Sequence, residues 1–194
     1  MPRVGEVSVG IKLLRYCMIK KHYYSWTDIE AMCTSIVNQM YTDNWRPDYI
    51  VGLTRGGNVP ATIISNITGI RCEALKVSLR DDNSQSESNL WMAEDAFGHP
   101  HQDSGGQGKN ILIVDDINDT GATFNWIMQD WQTSCLPDDP HWNRVWGNNV
   151  RIAVLTDNMA SEIIPAVNYS CHEINKSEED VWLVYPWENV GTYG

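Results

Sequence analysis

No uninterrupted apolar run approaches the roughly 18 residues that a membrane-spanning helix needs, and the first residues carry no succession of basic, apolar and small-residue regions of the secretory kind. Cytoplasmic location is the expectation. Cysteine is sparse: Cys17, Cys33, Cys72, Cys135 and Cys171 are odd in number, widely spread and without a C-x-x-C pair. They read as reduced thiols in or near the core rather than as a disulfide frame or zinc site. Positive charge is scarce too. Lys and Arg number 14 against 25 Asp and Glu, a formal net charge of −11, so clustered cations for a nucleic-acid backbone are missing, and neither nucleic acid nor membrane is expected as a partner. A small phosphorylated ligand stays possible, because local amides, a few cations and a metal decide that. The histidines are scattered, and His99-Pro-His101 lacks the neighbouring ligands that a metal site needs.

What is present is concentrated in Asn110 to Thr123, NILIVDDINDTGAT. Ile111 to Val114 is an apolar run without polar alternation, the pattern of a central parallel strand covered on both faces. It ends in Asp115, Asp116 and Asp119, which lie where open α/β sheets place ligands. Phe124, Ile127, Met128 and Trp131 then recur at helical spacing, so a helix starts at Thr120-Gly121-Ala122-Thr123. A helix N-terminus with Thr hydroxyls, free amides and a Gly is a phosphate cradle. Carboxylates repel phosphate by roughly 4 kcal/mol per unit-charge pair at about 4 Å and an effective dielectric near 20. The combination makes sense if the acids hold sugar hydroxyls or Mg²⁺ while the amides take the phosphate.

Ile111 to Thr123 resembles the phosphoribosyl pyrophosphate (PRPP) signature of type I phosphoribosyltransferases, departing at Asn118, where that family usually carries an aliphatic residue. Two further stretches fit the resemblance. Thr54-Arg55-Gly56-Gly57 follows a short strand, and two glycines there let successive amides form an anion nest; it resembles the pyrophosphate loop of the 6-oxopurine enzymes, most closely the bacterial xanthine-guanine type, which implies a strained, cis-like bond before Arg55. Asp180 to Glu188 resembles their C-terminal base-binding segment, an aromatic that stacks on the purine followed by Pro, Trp and an acid. The resemblance covers about residues 23 to 188. It implies an α/β type I phosphoribosyltransferase fold, a mostly parallel five-stranded sheet flanked by helices, with a flexible hood over about residues 80–109 and a base-binding segment over about 175–190.

The resemblance also implies roles. Asp115 and Asp116 meet the ribose hydroxyls and, directly or through water, Mg²⁺. Asp119 is the base near the purine, and Asp119, Thr120, Gly121, Ala122 and Thr123 wrap the 5′-phosphate. Thr54, Arg55, Gly56 and Gly57 hold pyrophosphate, while Trp182, Leu183 and Asp157 face the base. One departure bears on specificity: a Lys that donates to the oxygen at purine position 6 is replaced by Thr156-Asp157-Asn158, leaving Asn158, Arg151 or Lys176 to supply the donor. The activity implied is Mg²⁺- and PRPP-dependent transfer to a purine, in a homodimer or homotetramer. The alternatives are a regulator that senses PRPP or a nucleotide without turnover, and a phosphoribosyltransferase for a different base.

Elsewhere, residues 1–22 are an extension of unknown role. Thr27-x-x-Glu30 predicts a capping box for a helix whose apolar face is Ile29, Met32, Cys33, Ile36, Val37 and Met40. Tyr49–Leu53, Arg71–Leu79, Val150–Thr156 and Tyr169–Ile174 are expected strands, and a helix carrying Val59, Ile63, Ile64 and Ile67 stops at Gly69. Arg80 to Lys109 is polar and irregular; Leu90, Trp91, Met92 and Phe97 within it also allow a hairpin or a subunit contact instead of the hood. Trp142 and Trp146, in the insertion at 134–149, read as packing or interface residues.

Overall fold

Four consecutive residues, Ile111 to Val114, are fully shielded from solvent, which a strand achieves only with layers on both faces. The computed structural model, which describes residues 20–77, 89–98 and 107–188, shows those layers. In chain order its elements are β1 (Lys20–Tyr23), α1 (Trp26–Thr42), β2 (Tyr49–Thr54), α2 (Asn58–Thr68), β3 (Cys72–Lys76), α3 (Leu90–Phe97), β4 (Ile111–Asn118), α4 (Ala122–Ser134), β5 (Val150–Asn158), β6 (Val167–Ile174) and β7 (Val181–Val184), with a 3₁₀ turn at Pro140–Arg144. Five strands form a parallel sheet in the order β3-β2-β4-β5-β6, the expected architecture. Alternate residues of β4 enter opposite cores. Ile111 and Ile113 pack with Met92, Phe97, Phe124 and Trp131 on the α3 and α4 side; Leu112 and Val114 pack with Ile29, Ile36 and Ile64 on the α1 and α2 side.

The order reverses between β2 and β4. From β2 the chain moves outward to β3, and from β4 it moves the other way to β5 and β6. The carboxyl ends of β2 and β4 therefore flank the crevice where doubly wound sheets bind ligands. Among the described residues, no helix is long and apolar enough to cross a membrane.

Several elements differ from the sequence reading. Lys20–Tyr23, at the end of the segment of unknown role, forms β1 and pairs parallel with β7, Lys20 opposite Val181 through Tyr23 opposite Val184; residues 1–19 lie outside the described residues. The capping box at the start of α1 is Ser25 with Asp28, not Thr27 with Glu30: Asp28 N donates to Ser25 Oγ at 3.2 Å, and Ser25 N donates to Asp28 Oδ2 at 2.7 Å. The reason lies just upstream, where Tyr24 N still donates to Val184 O at 2.9 Å, so the chain turns at Ser25 and the first available acceptor caps the helix. The strand expected over Arg71–Leu79 is limited to Cys72–Lys76, residues 78 and 79 lying outside the described residues.

The stretch read as a hood, hairpin or subunit contact contains a helix rather than a hairpin, and one face of it enters the core. Met92, Ala93, Ala96 and Phe97 of α3 are buried, and the helix is fixed from below by an ion pair between Lys109 and Asp95 at 2.7 Å and by Asn149 Nδ2 donating to Ala96 O at 2.8 Å. The remainder of the hood expectation, residues 80–88 and 99–106, lies outside the described residues, as does His99-Pro-His101. In the 134–149 insertion both tryptophans serve packing. Trp142 is buried with Nε1 donating to Cys135 O at 2.9 Å, and Trp146 lies against Trp131 with ring centroids 5.6 Å apart.

The cap assignment is testable by urea unfolding. Ser25→Ala is expected to cost about 0.5–2 kcal/mol, whereas Thr27→Ala is expected to stay within about 0.5 kcal/mol. Equal losses at the two positions would move the cap back to Thr27.

Candidate functional site

β2 ends in Thr54-Arg55-Gly56-Gly57, and α2 begins immediately after it. The Thr54–Arg55 peptide is cis, as the resemblance implies. Thr54 Oγ1 donates to Leu75 O at 3.3 Å, tying the loop to β3, and the Arg55 side chain is exposed. Gly57 is buried against the tip of β4: a Cβ there would lie 2.8 Å from Asp115 Cα and nearer still to the Val114 carbonyl oxygen. A side chain would push the two loops apart. The glycine loop and the acidic tip are thus one structure.

At that tip, Asp116 N donates to Asp115 Oδ1 at 2.9 Å. Burial pushes the Asp115 carboxyl well above the ordinary carboxylate range, and the negative charge of Asp116 adds to the rise. Burial also raises Asp116, and Glu188 opposes its ionisation as well. Tyr185 braces the tip from behind: its hydroxyl donates to Asp116 O at 2.9 Å and lies 3.2 Å from Thr156 Oγ1, which is 3.0 Å from the Tyr24 hydroxyl. The Tyr185 ring is sandwiched between Tyr24, centroids 5.1 Å apart, and Trp187, 4.9 Å apart.

Beyond the tip the chain turns through Asp119 and Thr120 to Gly121, which caps α4 with φ +84, a conformation that favours glycine. The turn encloses a cavity of ≈ 170 Å³ lined by Asp115, Ile117, Asp119 and Thr120 to Phe124, among others. The N-terminus of α4 and the positive end of its dipole border the cavity, with the first amide, Ala122 N, donating to Thr120 Oγ1 at 3.3 Å, the environment an anion prefers. A larger depression of ≈ 430 Å³ lies near the far end of α4, between Gln129 and Asn143. It is remote from the carboxyl ends of the strands, and the smaller cavity combines nest, acids and helix terminus, so size does not locate the site here.

Asn118 and Asp157 are cross-strand neighbours, and Asn118 Nδ2 donates to Asp157 Oδ1 at 2.8 Å and to Ser161 Oγ at 2.8 Å. Asn158 Nδ2 donates to Asp119 O at 2.7 Å, while its Oδ1 accepts from Lys176 N at 3.0 Å and Ala160 N at 3.2 Å. Lys176 Nζ lies 2.8 Å from Asp119 Oδ1. Arg151 is elsewhere. It sits at the amino end of β5, paired with Asp43 at 3.0 Å and lying over the Trp45 ring, which removes it as a base contact. On β7, Trp182 is half exposed and the Leu183 side chain is packed into the core. The sequence reading singled out Lys176 only as one of three donors and did not single out Tyr185, whose one visible signal was an aromatic beside Pro186-Trp187.

The raised carboxyls give a pH-dependent prediction. A folded state that holds a proton more tightly than the unfolded chain loses stability as pH rises from the ordinary carboxylate range through the raised value. Asp115→Asn is therefore expected to raise the thermal midpoint of the ligand-free protein, by more at pH 8 than at pH 5. A gain that is equal at both values, or a loss at pH 8, would show that the carboxylate is not held against its charge.

Residues 20–187 match the phosphoribosyl transferase domain. The chain is 26% identical over 188 residues to xanthine phosphoribosyltransferase 1 of Saccharomyces cerevisiae, with 87% of this chain and 90% of that one covered. It is 24% identical over 190 residues to a hypoxanthine-guanine phosphoribosyltransferase of Schizosaccharomyces pombe, with 86% and 88% covered. In fold it is similar to a purine phosphoribosyltransferase from Pyrococcus horikoshii, with TM-score 0.59, 21% identity and coverage of 91% of this chain and 99% of that one. A crevice built from a glycine loop, a paired-acid strand tip and a helix N-terminus, on a sheet matched along nearly all of its described length, makes this chain a member of the phosphoribosyl transferase domain family with the type I fold.

Proposed function

We propose that the protein is a purine phosphoribosyltransferase that moves the 5-phosphoribosyl group of PRPP to a 6-oxopurine such as hypoxanthine, guanine or xanthine, with release of pyrophosphate. The observation that supports this most is the contact of Gly56 and Gly57 with Asp115 and Asp116, beside the cavity at the start of α4. It offers three adjoining subsites of the right character: amides for pyrophosphate, carboxylates for ribose hydroxyls, and a helix N-terminus for the 5′-phosphate. The yeast relatives named above act on xanthine and on hypoxanthine or guanine.

In this reading a purine nitrogen forms a bond to C1 of the ribose as the C1–oxygen bond to pyrophosphate breaks, and the leaving oxygen keeps the electron pair. The protein contributes positioning and electrostatics. Asp119 accepts the proton that the purine gives up, its carboxylate oriented by the Lys176 ammonium 2.8 Å away. Trp182, half exposed on β7, is the surface on which the base stacks. Asp115 and Asp116 suit Mg²⁺, because a buried carboxylate pair with raised proton affinity gains from a cation. Among the described residues no group of three or more His, Cys, Asp or Glu could hold a metal, so the ion would complete its shell with substrate oxygens and water. When bound, it would neutralise the charge of the departing pyrophosphate. Cytoplasmic nucleotide salvage, in a homodimer or homotetramer, belongs to the same reading, and exposed Trp26 and Trp91 offer apolar surface for such contacts.

The test is pyrophosphate release from PRPP and Mg²⁺ across a panel of nucleobases, repeated with Asp119→Asn. Turnover is expected with at least one 6-oxopurine, and kcat is expected to fall roughly 10²- to 10⁴-fold in the variant. Tight PRPP binding without turnover of any base would replace this reading with that of a sensing regulator. Turnover confined to a base outside the purines would transfer the activity to another substrate class.

A further inference from the structure

Among the described residues, Asp116 alone in β4 lacks a register partner on a neighbouring strand. Val114 is matched by Gly52 of β2 and by Ala153 of β5, and Asp115 and Ile117 are matched by Val154 and Thr156 of β5. Side chains meet the main chain of Asp116 instead. Its amide donates to Asp115 Oδ1, and its carbonyl accepts from the Tyr185 hydroxyl at 2.9 Å. A partly buried carbonyl without a partner is costly, so Tyr185 stands in for a missing strand.

Behind Tyr185 the contacts continue across the carboxyl ends of the sheet. Tyr185 Oη lies 3.2 Å from Thr156 Oγ1, which lies 3.0 Å from Tyr24 Oη, and Tyr24 Oη is hydrogen-bonded to His172 Nδ1. Thr156 and His172 are register partners on β5 and β6, while Tyr24 and Tyr185 directly follow β1 and β7. Tyr24, Thr156 and Tyr185 are all buried, so their hydroxyls depend on one another.

Counting protons gives this series a direction. Each hydroxyl has one proton to donate, and a main-chain carbonyl can only accept, so the Tyr185 proton is committed to Asp116 O. The Thr156 proton then goes to Tyr185 and the Tyr24 proton to Thr156. The last link, between Tyr24 and His172, has a donor only when the ring carries a proton on Nδ1. Were Tyr24 to donate to His172 instead, one of the two contacts of Thr156 would have no proton. Resting on the PRPP reading above, we propose that Tyr185 and His172 are positioning residues for the acidic tip. They are the two ends of a one-directional hydrogen-bonded series that starts at the His172 Nδ1–H and sets the Asp116 peptide, and with it the carboxylates that receive the ribose. Bonds aligned head to tail polarise one another, which firms the grip on Asp116 O. Neither residue touches the reacting atoms.

Two measurements test this. The first is the nitrogen-15 NMR spectrum of the His172 ring in the ligand-free protein at pH 8, assigned by the loss of its signals in His172→Asn. A neutral ring protonated on Nδ1 is expected, and protonation on Nε2 would overturn the series. The second is steady-state kinetics of the parent and four variants. Tyr185→Phe keeps the ring between Tyr24 and Trp187 and removes only the hydroxyl. It is expected to raise KM for PRPP roughly 10-fold, with KM for the base within about twofold of the parent. Thr156→Val and His172→Phe, which interrupt the series farther back, are expected to give smaller rises of the same kind. His172→Asn, whose amide can donate from the place of Nδ1, is expected to recover the loss seen in His172→Phe. Equal rises in both KM values, or an Asn variant no better than the Phe one, would reduce these residues to packing and overturn the proposal. A parent inactive with every base, but with His172 protonated on Nδ1, would overturn the transferase reading and leave the hydrogen-bonded series intact.

Discussion

Two adjacent carboxylates at the end of a strand buried on both faces oppose each other and oppose their own burial. The surrounding structure compensates in part. Asp115 receives the Asp116 amide, and the main chain at Asp116 is held by the Tyr185 hydroxyl, itself fixed through Thr156 and an aromatic stack of Tyr24, Tyr185 and Trp187. Glycine at 57 lets the neighbouring loop close against the tip without a side chain intervening. What remains uncompensated is negative charge facing a crevice, and the partners that would neutralise it are cations and sugar hydroxyls. The same feature that weakens the ligand-free fold therefore prepares the site for its ligands.

How much of this was legible in the chain depended on contiguity. Strand, acids, cradle and helix start lie in one unbroken stretch, so hydrophobic pattern and side-chain chemistry could be read together, and the sheet and its central strand followed. Asn158, Lys176 and Tyr185 belong to three separate segments that only folding brings to Asp116 and Asp119, and no local pattern marks them. Helix α3 was missed for a different reason. Met92, Ala93, Ala96 and Phe97 have helical spacing, but the polar residues on either side dominate the composition of that stretch. The cap of α1 was placed two residues late because two overlapping pairs satisfy the same sequence rule, and what chose between them was the pairing of the preceding strand.

Asn118 and Asp157 show how a departure from a pattern is misjudged one position at a time. In the sequence, an amide inside an aliphatic stretch and an acid in place of a cation look like separate faults. On adjacent strands they form a single hydrogen-bonded pair through Asn118 Nδ2, which leaves only Asn118 Oδ1 buried without a partner. The net charge of −11 is similarly uninformative about the site, where one lysine on one aspartate and the amides of a helix terminus set the local field.

The pairing of β1 with β7 has a bearing on how the molecule comes together. The crossovers that join β2, β3, β4 and α4 are near in sequence, so the phosphate-gripping half can condense from neighbouring segments. The strand that carries Trp182 has no such local partner: its mate, Lys20–Tyr23, leaves the ribosome long before it and must wait with an unsatisfied edge. Because Tyr24 and Tyr185 extend from these two strands to the back of the acidic tip, the same long-range closure that sets the Trp182 platform also steadies the sugar-phosphate grip.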